Sequence, residues 1–389
     1  MTNKTKENTF DRIRCYNDLE AIDALKRMVE YEEFYPVFKH VFPKLDQPAL
    51  TDLFLSITGS YDFQKRVMDD AVKTVIKFSM DEFSCDGIEN LDKNAAYMYV
   101  ANHRDIVMDA ALLQHVLVTY DMNTTQITFG DNLMSSDFII DFGKINKMFT
   151  VIRDSDRREA LRNSQELSEY MRKVIRTKKE SVWIAQRSGR TKDGLDTTQQ
   201  GLLRMFAMSG NGSFKERLKD LNIVPLAISY EFEPCDYLKV YELCETKKGK
   251  YIKKEGEDFN SVVEGIKGFK GRTKLVMGKS LTPFIDSLPD DINKKEILKV
   301  VAGEIDRQIY SNYRLWPTNY IAYDILNECE EYSHNYSKHE KKRFLEHMNT
   351  RADLVEMNKE EFKTAFLNLY ANPINQYKIL QNLEVELTN

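Results

Sequence analysis

His103 is the histidine, among six in the chain, whose surroundings best suit a general base. It follows the predicted strand Ala95–Ala101 and precedes the predicted helix Met108–Tyr120, with carboxylates nearby at Asp105 and Asp109. A carboxylate bound to one ring nitrogen of a histidine fixes the tautomer and stabilises the imidazolium. His103 can meet Asp109 only from the loop before the helix, because a regular helix turns the two residues apart. Asp105 is a competing partner.

Polar and cationic side chains follow the next predicted strands in the same way. The carboxyl ends of parallel strands meet at one edge of a sheet, which is where ligands bind in such folds. A group of arginines beside a histidine therefore predicts a pocket for a phosphate or a carboxylate. The residues in these positions are Gly130, Asp131, Asn132, Arg153, Gln186, Arg187, Arg190 and Lys192.

Alternation of strand and helix patterns predicts the architecture that positions these side chains. Short apolar runs separated by helical patterns predict an α/β core over residues 85–285, with a mixed, partly parallel sheet flanked by helices. Helical periodicity predicts helical regions over 1–84 and 286–389. The predicted strands after Ala95–Ala101 are Gln126–Phe129, Phe149–Ile152, Ser181–Ala185, Ile223–Tyr230, Lys239–Leu243 and Thr273–Met277.

Composition narrows the class of protein. The 389 residues are 42% hydrophobic and 30% charged, which is typical of a folded protein. A net charge of -5 without a dense basic tract argues against a nucleic-acid partner. The apolar runs fall short of the roughly 20 residues that a membrane span needs, and the polar N-terminus does not resemble a signal peptide. Five cysteines without CxxC spacing argue against disulfides and a zinc site.

Four blocks of the sequence, in order, resemble the glycerol-phosphate acyltransferase family, which includes the lysophosphatidate and dihydroxyacetone-phosphate acyltransferases. The resemblance covers roughly residues 85–285. The first block is Asn102-His103 with Asp109, and the second is Gly130–Leu133 with Phe149 and Arg153. The third is Trp183–Thr191, the fourth is Ile223-Val-Pro225, and a later Gly278–Leu281 resembles the family's trailing segment.

This resemblance implies an O-acyltransferase that moves a fatty acyl group from a thioester to the hydroxyl of an anionic glycerol-phosphate-type acceptor. His103 would take the hydroxyl proton, and attack would be direct, without an acyl-enzyme. Five residues separate His103 from Asp109 where the family has four, so either Asp109 or Asp105 could orient the imidazole. Asn102 and Arg104 flank the histidine as candidate substrate contacts. Backbone amides at the start of the following helix could contact the oxyanion.

The remaining site residues take their roles from the same resemblance. Arg153 and Arg190 would bind the acceptor's anionic group, aided by Arg187 and Lys192. Gly130 to Leu133 and Pro225 would line the site. Gln186 stands near the place of a family glutamate, keeping its shape without its charge.

No metal or redox cofactor is expected. The implied partners are an acyl thioester of acyl carrier protein or coenzyme A, an anionic lipid precursor and the membrane surface. We expect a cytoplasmic protein that touches the inner face of the membrane reversibly, with the aromatic terminal helices as candidates for that contact. Other functions stay open: O-acylation of an N-acyl amino acid, non-catalytic binding of acyl chains or lipids, and thioester hydrolysis.

Overall fold

The computed structural model describes residues 10–134, 136–153, 156–249, 251–254 and 256–388. The first nine residues, where the sequence predicts no signal peptide, lie outside this range. Within it, no helix has the length and apolar content needed to span a bilayer.

A seven-stranded sheet forms the centre of the fold. Its spatial order is β1-β7-β6-β2-β5-β3-β4, and every neighbouring pair is parallel except β6 and β7. The predicted mixed, partly parallel α/β sheet is therefore confirmed. Since β2 to β6 run the same way, their carboxyl ends meet at one edge. The strands are β1 (Met80–Asp86), β2 (Met98–Ala101), β3 (Gln126–Gly130), β4 (Met148–Val151), β5 (Val182–Ala185), β6 (Ile223–Tyr230) and β7 (Gly271–Met277).

Helices cover both faces of this sheet. Apolar side chains of α8, α9 and α14 pack on one face, and those of α5 and α6 pack on the other. The N-terminal helices are α1 (Asp18–Met28), α2 (Phe34–Val41), α3 (Gln47–Leu55), α4 (Ser60–Phe63) and α5 (Asp69–Ser79). Those between strands are α6 (Met108–Thr119), α7 (Asp137–Ile145), α8 (Arg157–Lys173), α9 (Gln200–Phe206), α10 (Phe214–Lys219), α11 (Asp236–Lys248) and α12 (Glu257–Lys267). After β7 come α13 (Thr282–Ser287), α14 (Lys294–Asn312), α15 (Pro317–Leu326), α16 (Lys338–Ala352) and α17 (Lys359–Thr388).

The C-terminal helices are joined closely to the sheet. Along α14, Ile297, Val301, Ile305 and Ile309 are buried in the same apolar cluster as β2, β5 and β6. Helices α15, α16 and α17 form another cluster with Val240 and Cys244 of α11. The C-terminal region thus packs on the core at two places.

Two strand assignments differ from the predictions. Lys239–Leu243 was predicted as a strand, and this prediction is wrong, because the segment lies within α11. Val240 and Cys244 are four residues apart and both face the apolar cluster. Residues at this spacing share a face in a helix and in a strand alike, so a segment of five residues does not distinguish the two. The strand Met80–Asp86 was not predicted. It lies at the edge of the sheet, and its polar, largely unburied residues carry little apolar signal.

A partly buried carboxylate on α14 gives the fold a pH-dependent stability. Asp306 Oδ1 accepts hydrogen bonds from the backbone N–H of Thr198 at 2.8 Å and from its hydroxyl at 2.6 Å. Burial raises the pKa of Asp306 from 3.8 to about 6. Because the folded protein holds this proton more tightly than the unfolded chain, the free energy of unfolding falls as the pH rises from about 4 to about 6.

We expect Asp306→Asn to raise the free energy of unfolding at pH 7 by roughly 2 kcal/mol, because an amide oxygen keeps both bonds while the partly buried charge is removed. Urea titrations of wild type and variant between about pH 4 and pH 7 test this expectation. The variant's pH dependence should be flatter over that window; parallel curves would contradict the assignment.

Candidate active site

The structure joins His103 to Asp109. His103 lies in the loop between β2 and α6, and its Nδ1 is 3.0 Å from Asp109 Oδ2. With Asp109 ionised, Nδ1 carries the ring proton and Nε2 is the free base. Among the described residues no group hydrogen-bonds Nε2, and 13% of the side chain is exposed. The ring meets Trp183 edge-on, with 5.8 Å between centroids. The imidazole is thus oriented, partly shielded and open to a proton donor.

Asp109 is held by more donors than the sequence indicated. Its Oδ2 also accepts the backbone N–H of Arg104 at 2.7 Å and that of Asp105 at 2.9 Å. Its Oδ1 accepts the hydroxyl of Tyr230 at 2.9 Å. Burial, followed by the charge of Asp109, raises the pKa of Tyr230 well above its ordinary value, so the phenol stays a donor. Tyr230 was not among the predicted site residues, although it ends a predicted strand.

Asp105 has a different place from Asp109. Its Oδ1 accepts the backbone N–H groups of Val107 at 2.9 Å and Met108 at 2.7 Å, which makes it a cap for the start of α6. Its Oδ2 is buried against Gly265 of α12, where a β-carbon would overlap it. Of the two candidate partners, Asp109 is the one that contacts His103.

Backbone amides near the start of α6 were expected to contact the oxyanion, but four of them already donate to carboxylates of the protein. The N–H groups of Arg104 and Asp105 are bound by Asp109, and those of Val107 and Met108 by Asp105. These four amides have no free N–H left to offer to a substrate.

Four predicted substrate contacts lie in the interior instead. Asn102 is fully buried and hydrogen-bonds the backbone N–H and C=O of Ile228 in β6. Arg104 is fully buried between carboxylates. Gln186 is fully buried, and its side-chain oxygen lies 3.2 Å from the Thr198 hydroxyl. Pro225 is buried within β6, beside Val100 near the carboxyl end of β2. The sequence predicted that these four residues contact the substrate. In the structure they instead pack or hydrogen-bond within the protein, beneath the site.

The four predicted cations occupy different surroundings. Arg190 precedes Thr191, whose N–H donates to the carbonyl of His103 at 2.9 Å, so it lies next to the histidine loop. It is only 9% exposed, yet its Nη1 has no hydrogen-bond partner among the described residues. Arg187 donates to the carbonyl of Leu195 at 3.3 Å, within its own loop. Lys192 is paired with Glu242 of α11 at 2.5 Å.

The loop after β3 forms the far side of the same edge. Arg153 is exposed, and its guanidinium lies so close over Gly130 that a β-carbon there would contact it. The backbone N–H of Arg153 donates to Asp131 Oδ2 at 3.4 Å, and the side-chain amide of Asn132 donates to Asp258 of α12 at 2.7 Å. Since only β5 separates β2 from β3, Gly130 lies about 10 Å from the end of the histidine strand.

Comparison with known proteins finds a family match for the segment that contains this site. Residues 82–229 match the model of the Acyltransferase family, and this segment contains His103, Asp109 and Arg190. The predicted family resemblance is therefore confirmed for this segment, which is less than half of the chain. No curated protein matches the chain.

One solved structure that resembles the chain is the crystal structure of the 1-acyl-sn-glycerophosphate (LPA) acyltransferase, PlsC, from Thermotoga maritima. The two are 15% identical with a TM-score of 0.37, and the alignment covers 76% of this chain and 97% of that one.

Proposed function

We propose that the protein transfers a fatty acyl group from a thioester to the hydroxyl of an anionic glycerol-phosphate-type acceptor. The observation that carries the proposal is the His103–Asp109 pair, with Nε2 free, inside a segment that matches the Acyltransferase family. Nε2 takes the proton from the acceptor hydroxyl as its oxygen attacks the thioester carbonyl. The C–S bond then breaks, and the thiolate leaves with the proton that His103 returns.

Arg190 supports an anionic acceptor. The Arg190 residue is nine-tenths buried, and its Nη1 has no hydrogen-bond partner in the part of the chain that the structure describes. This is unusual, because unpaired buried donors cost free energy. In the proposal, the phosphate of the acceptor binds at Arg190, and Arg153 adds charge at the edge of the sheet. A carboxylate could use the same arginines, so an N-acyl amino acid stays in the test as an alternative acceptor.

The proposal also includes the acyl donor and the cellular location that the sequence resemblance implies. The donor is a thioester of acyl carrier protein or coenzyme A. The enzyme works in the cytoplasm and touches the inner face of the membrane, where its product inserts.

Release of thiol from palmitoyl-coenzyme A and from palmitoyl-acyl carrier protein tests the proposal. Each donor is assayed with no acceptor, with glycerol 3-phosphate, with lysophosphatidate and with an N-acyl amino acid that carries a hydroxyl. Release that depends on a phosphate acceptor supports the proposal, and dependence on the amino-acid acceptor changes the substrate. Release without acceptor indicates a hydrolase, and binding without release indicates an acyl-binding protein.

We expect Arg190→Met to raise the KM for the anionic acceptor about 10- to 100-fold, which corresponds to losing one charge-assisted hydrogen bond. The KM for the thioester should stay the same, since the arginine acts on the acceptor. Steady-state kinetics with each substrate varied in turn measure both values. Lys192→Met, which removes a cation already paired with Glu242, is the matched control and should change neither KM by more than about threefold. An unaltered acceptor KM in Arg190→Met would place the anion elsewhere.

A further inference from the structure

Arg104, the residue after His103, is one of the largest fully buried side chains in the described part of the protein. Its guanidinium binds Asp196, Glu233 Oε1 at 2.7 Å and the carbonyl of Gly194 at 3.2 Å. It also lies over the ring of Tyr313, 4.9 Å from the centroid. Because a buried charge that loses its partner is strongly destabilising, this side chain is held in place.

The loop that contains Asp196 is tied to the C-terminal helices. The side-chain amide of Gln376 in α17 donates to the Asp196 carbonyl at 2.8 Å and accepts its N–H at 3.1 Å. The hydroxyl of Tyr310 in α14 donates to the same carbonyl. Asn372 of α17 donates to the carbonyl of Asp193 at 2.7 Å.

The loop that contains Glu233 is tied to the same helix. The backbone N–H of Glu233 donates to the hydroxyl of Tyr370 in α17 at 2.8 Å. Its Oε2 is paired with Lys239 at 2.9 Å, so the second oxygen is fixed as well. Both carboxylates that hold Arg104 are therefore positioned from the C-terminal region.

The backbone of Arg104 completes the connection. Its N–H is the 2.7 Å donor to Asp109 Oδ2, the oxygen that meets His103 Nδ1. The side chain of Arg104 thus sits in the C-terminal network while its amide sits in the His103–Asp109 pair. A shift of the guanidinium moves the amide that orients the carboxylate.

We infer that Arg104 is a positioning residue through which α14 and α17 hold the His103–Asp109 pair in register. The inference rests on the proposed function only for its effect on rate. Its direct consequence is the tautomer of His103: a well-oriented Asp109 keeps the proton on Nδ1, and a loosened one lets the Nε2–H form appear.

The tautomer is measured by ¹⁵N NMR of the histidine ring nitrogens in the full chain, at an alkaline pH where the ring signals no longer change with pH. The His103 signals are assigned with His103→Asn. The test variants are Arg104→Lys, which keeps the charge but not the planar fork, and Gln376→Met, which removes both bonds to Asp196 and changes no charge. Asn368→Met is the control, because among the described residues its amide bonds only the carbonyl of Thr364 within α17. Circular dichroism confirms that each variant is folded.

We expect mainly Nδ1–H in wild type and Asn368→Met, and a mixture of tautomers in Arg104→Lys and Gln376→Met. In the double variant Arg104→Lys/Gln376→Met, the mixture should match that of Arg104→Lys alone, since Gln376 acts through Arg104. A single tautomer in all variants, a wild type without Nδ1–H, or additive effects would each overturn the inference.

Rates separate this inference from the proposed function. If the protein is the proposed acyltransferase, kcat falls about tenfold or more in Arg104→Lys and in Gln376→Met while the KM for the thioester stays the same. A wild type that releases no thiol contradicts the proposed function but leaves the tautomer measurement able to decide the role of Arg104.

Discussion

Replacing His103 with alanine should lower acceptor-dependent thiol release by about 10²- to 10⁴-fold. General-base catalysis is worth roughly 10²–10⁴-fold, and among the described residues no second base takes the place of Nε2. The fold should survive, because within the described ranges the ring makes one side-chain hydrogen bond, to Asp109, and it is partly exposed. Initial rates measured on protein with an unchanged circular dichroism spectrum give the result.

The chain offers a matched control for this variant. His115 is also paired with a carboxylate, Asp69 Oδ1 at 2.7 Å, and is shielded to a similar degree, but it lies farther along α6. His115→Ala should keep the wild-type rate to within about threefold. A His103→Ala variant with the full rate would remove the histidine from the mechanism.

The second large effect is expected at Asp109. Asp109→Asn keeps the shape of the side chain, but an amide cannot accept from His103, Arg104, Asp105 and Tyr230 as a carboxylate does. Without a fixed tautomer and with the imidazolium unpaired, the rate should fall about 10²–10⁴-fold. The measurement is kcat with both substrates saturating.

Asp105→Asn is the comparison that separates the two carboxylates. Asparagine caps a helix about as well as aspartate, so the start of α6 should stay ordered and the rate should change little. An Asp105→Asn variant as impaired as Asp109→Asn would show that Asp105 has a part in the chemistry beyond its cap. The sequence left both residues open as partners of His103. Because only Asp109 contacts the histidine in the structure, we expect a large loss of rate for Asp109→Asn and little change for Asp105→Asn.

The secondary structure around the site followed from local patterns. The strand Ile223–Tyr230 has the bounds that its continuous apolar run predicted, and the helix after His103 begins at Met108 as predicted. These patterns are local, because burial of a strand or of one helix face is written in neighbouring residues. Lys239–Leu243 shows the limit, since five residues cannot distinguish a strand from one face of a helix.

Partners distant in sequence decided the roles of individual side chains. Arg104 looked like a substrate contact because it stands beside His103, but the carboxylates that bury it lie 92 and 129 positions away. Lys192 looked free until α11 placed Glu242 beside it. A charged residue has the same appearance in sequence whether it meets a ligand or an internal partner, and only the packing of distant segments separates the two.

By itself the sequence determined the α/β class, the edge of the sheet where polar groups gather and the histidine that the site is built around. Each depends on the order and spacing of neighbouring residues. The tertiary structure decided that Asp109 meets His103, that Tyr230 joins them, and that α14 and α17 hydrogen-bond the loops whose carboxylates bind Arg104. Those facts depend on side-chain contacts between segments far apart in the chain, and no local spacing specifies such contacts.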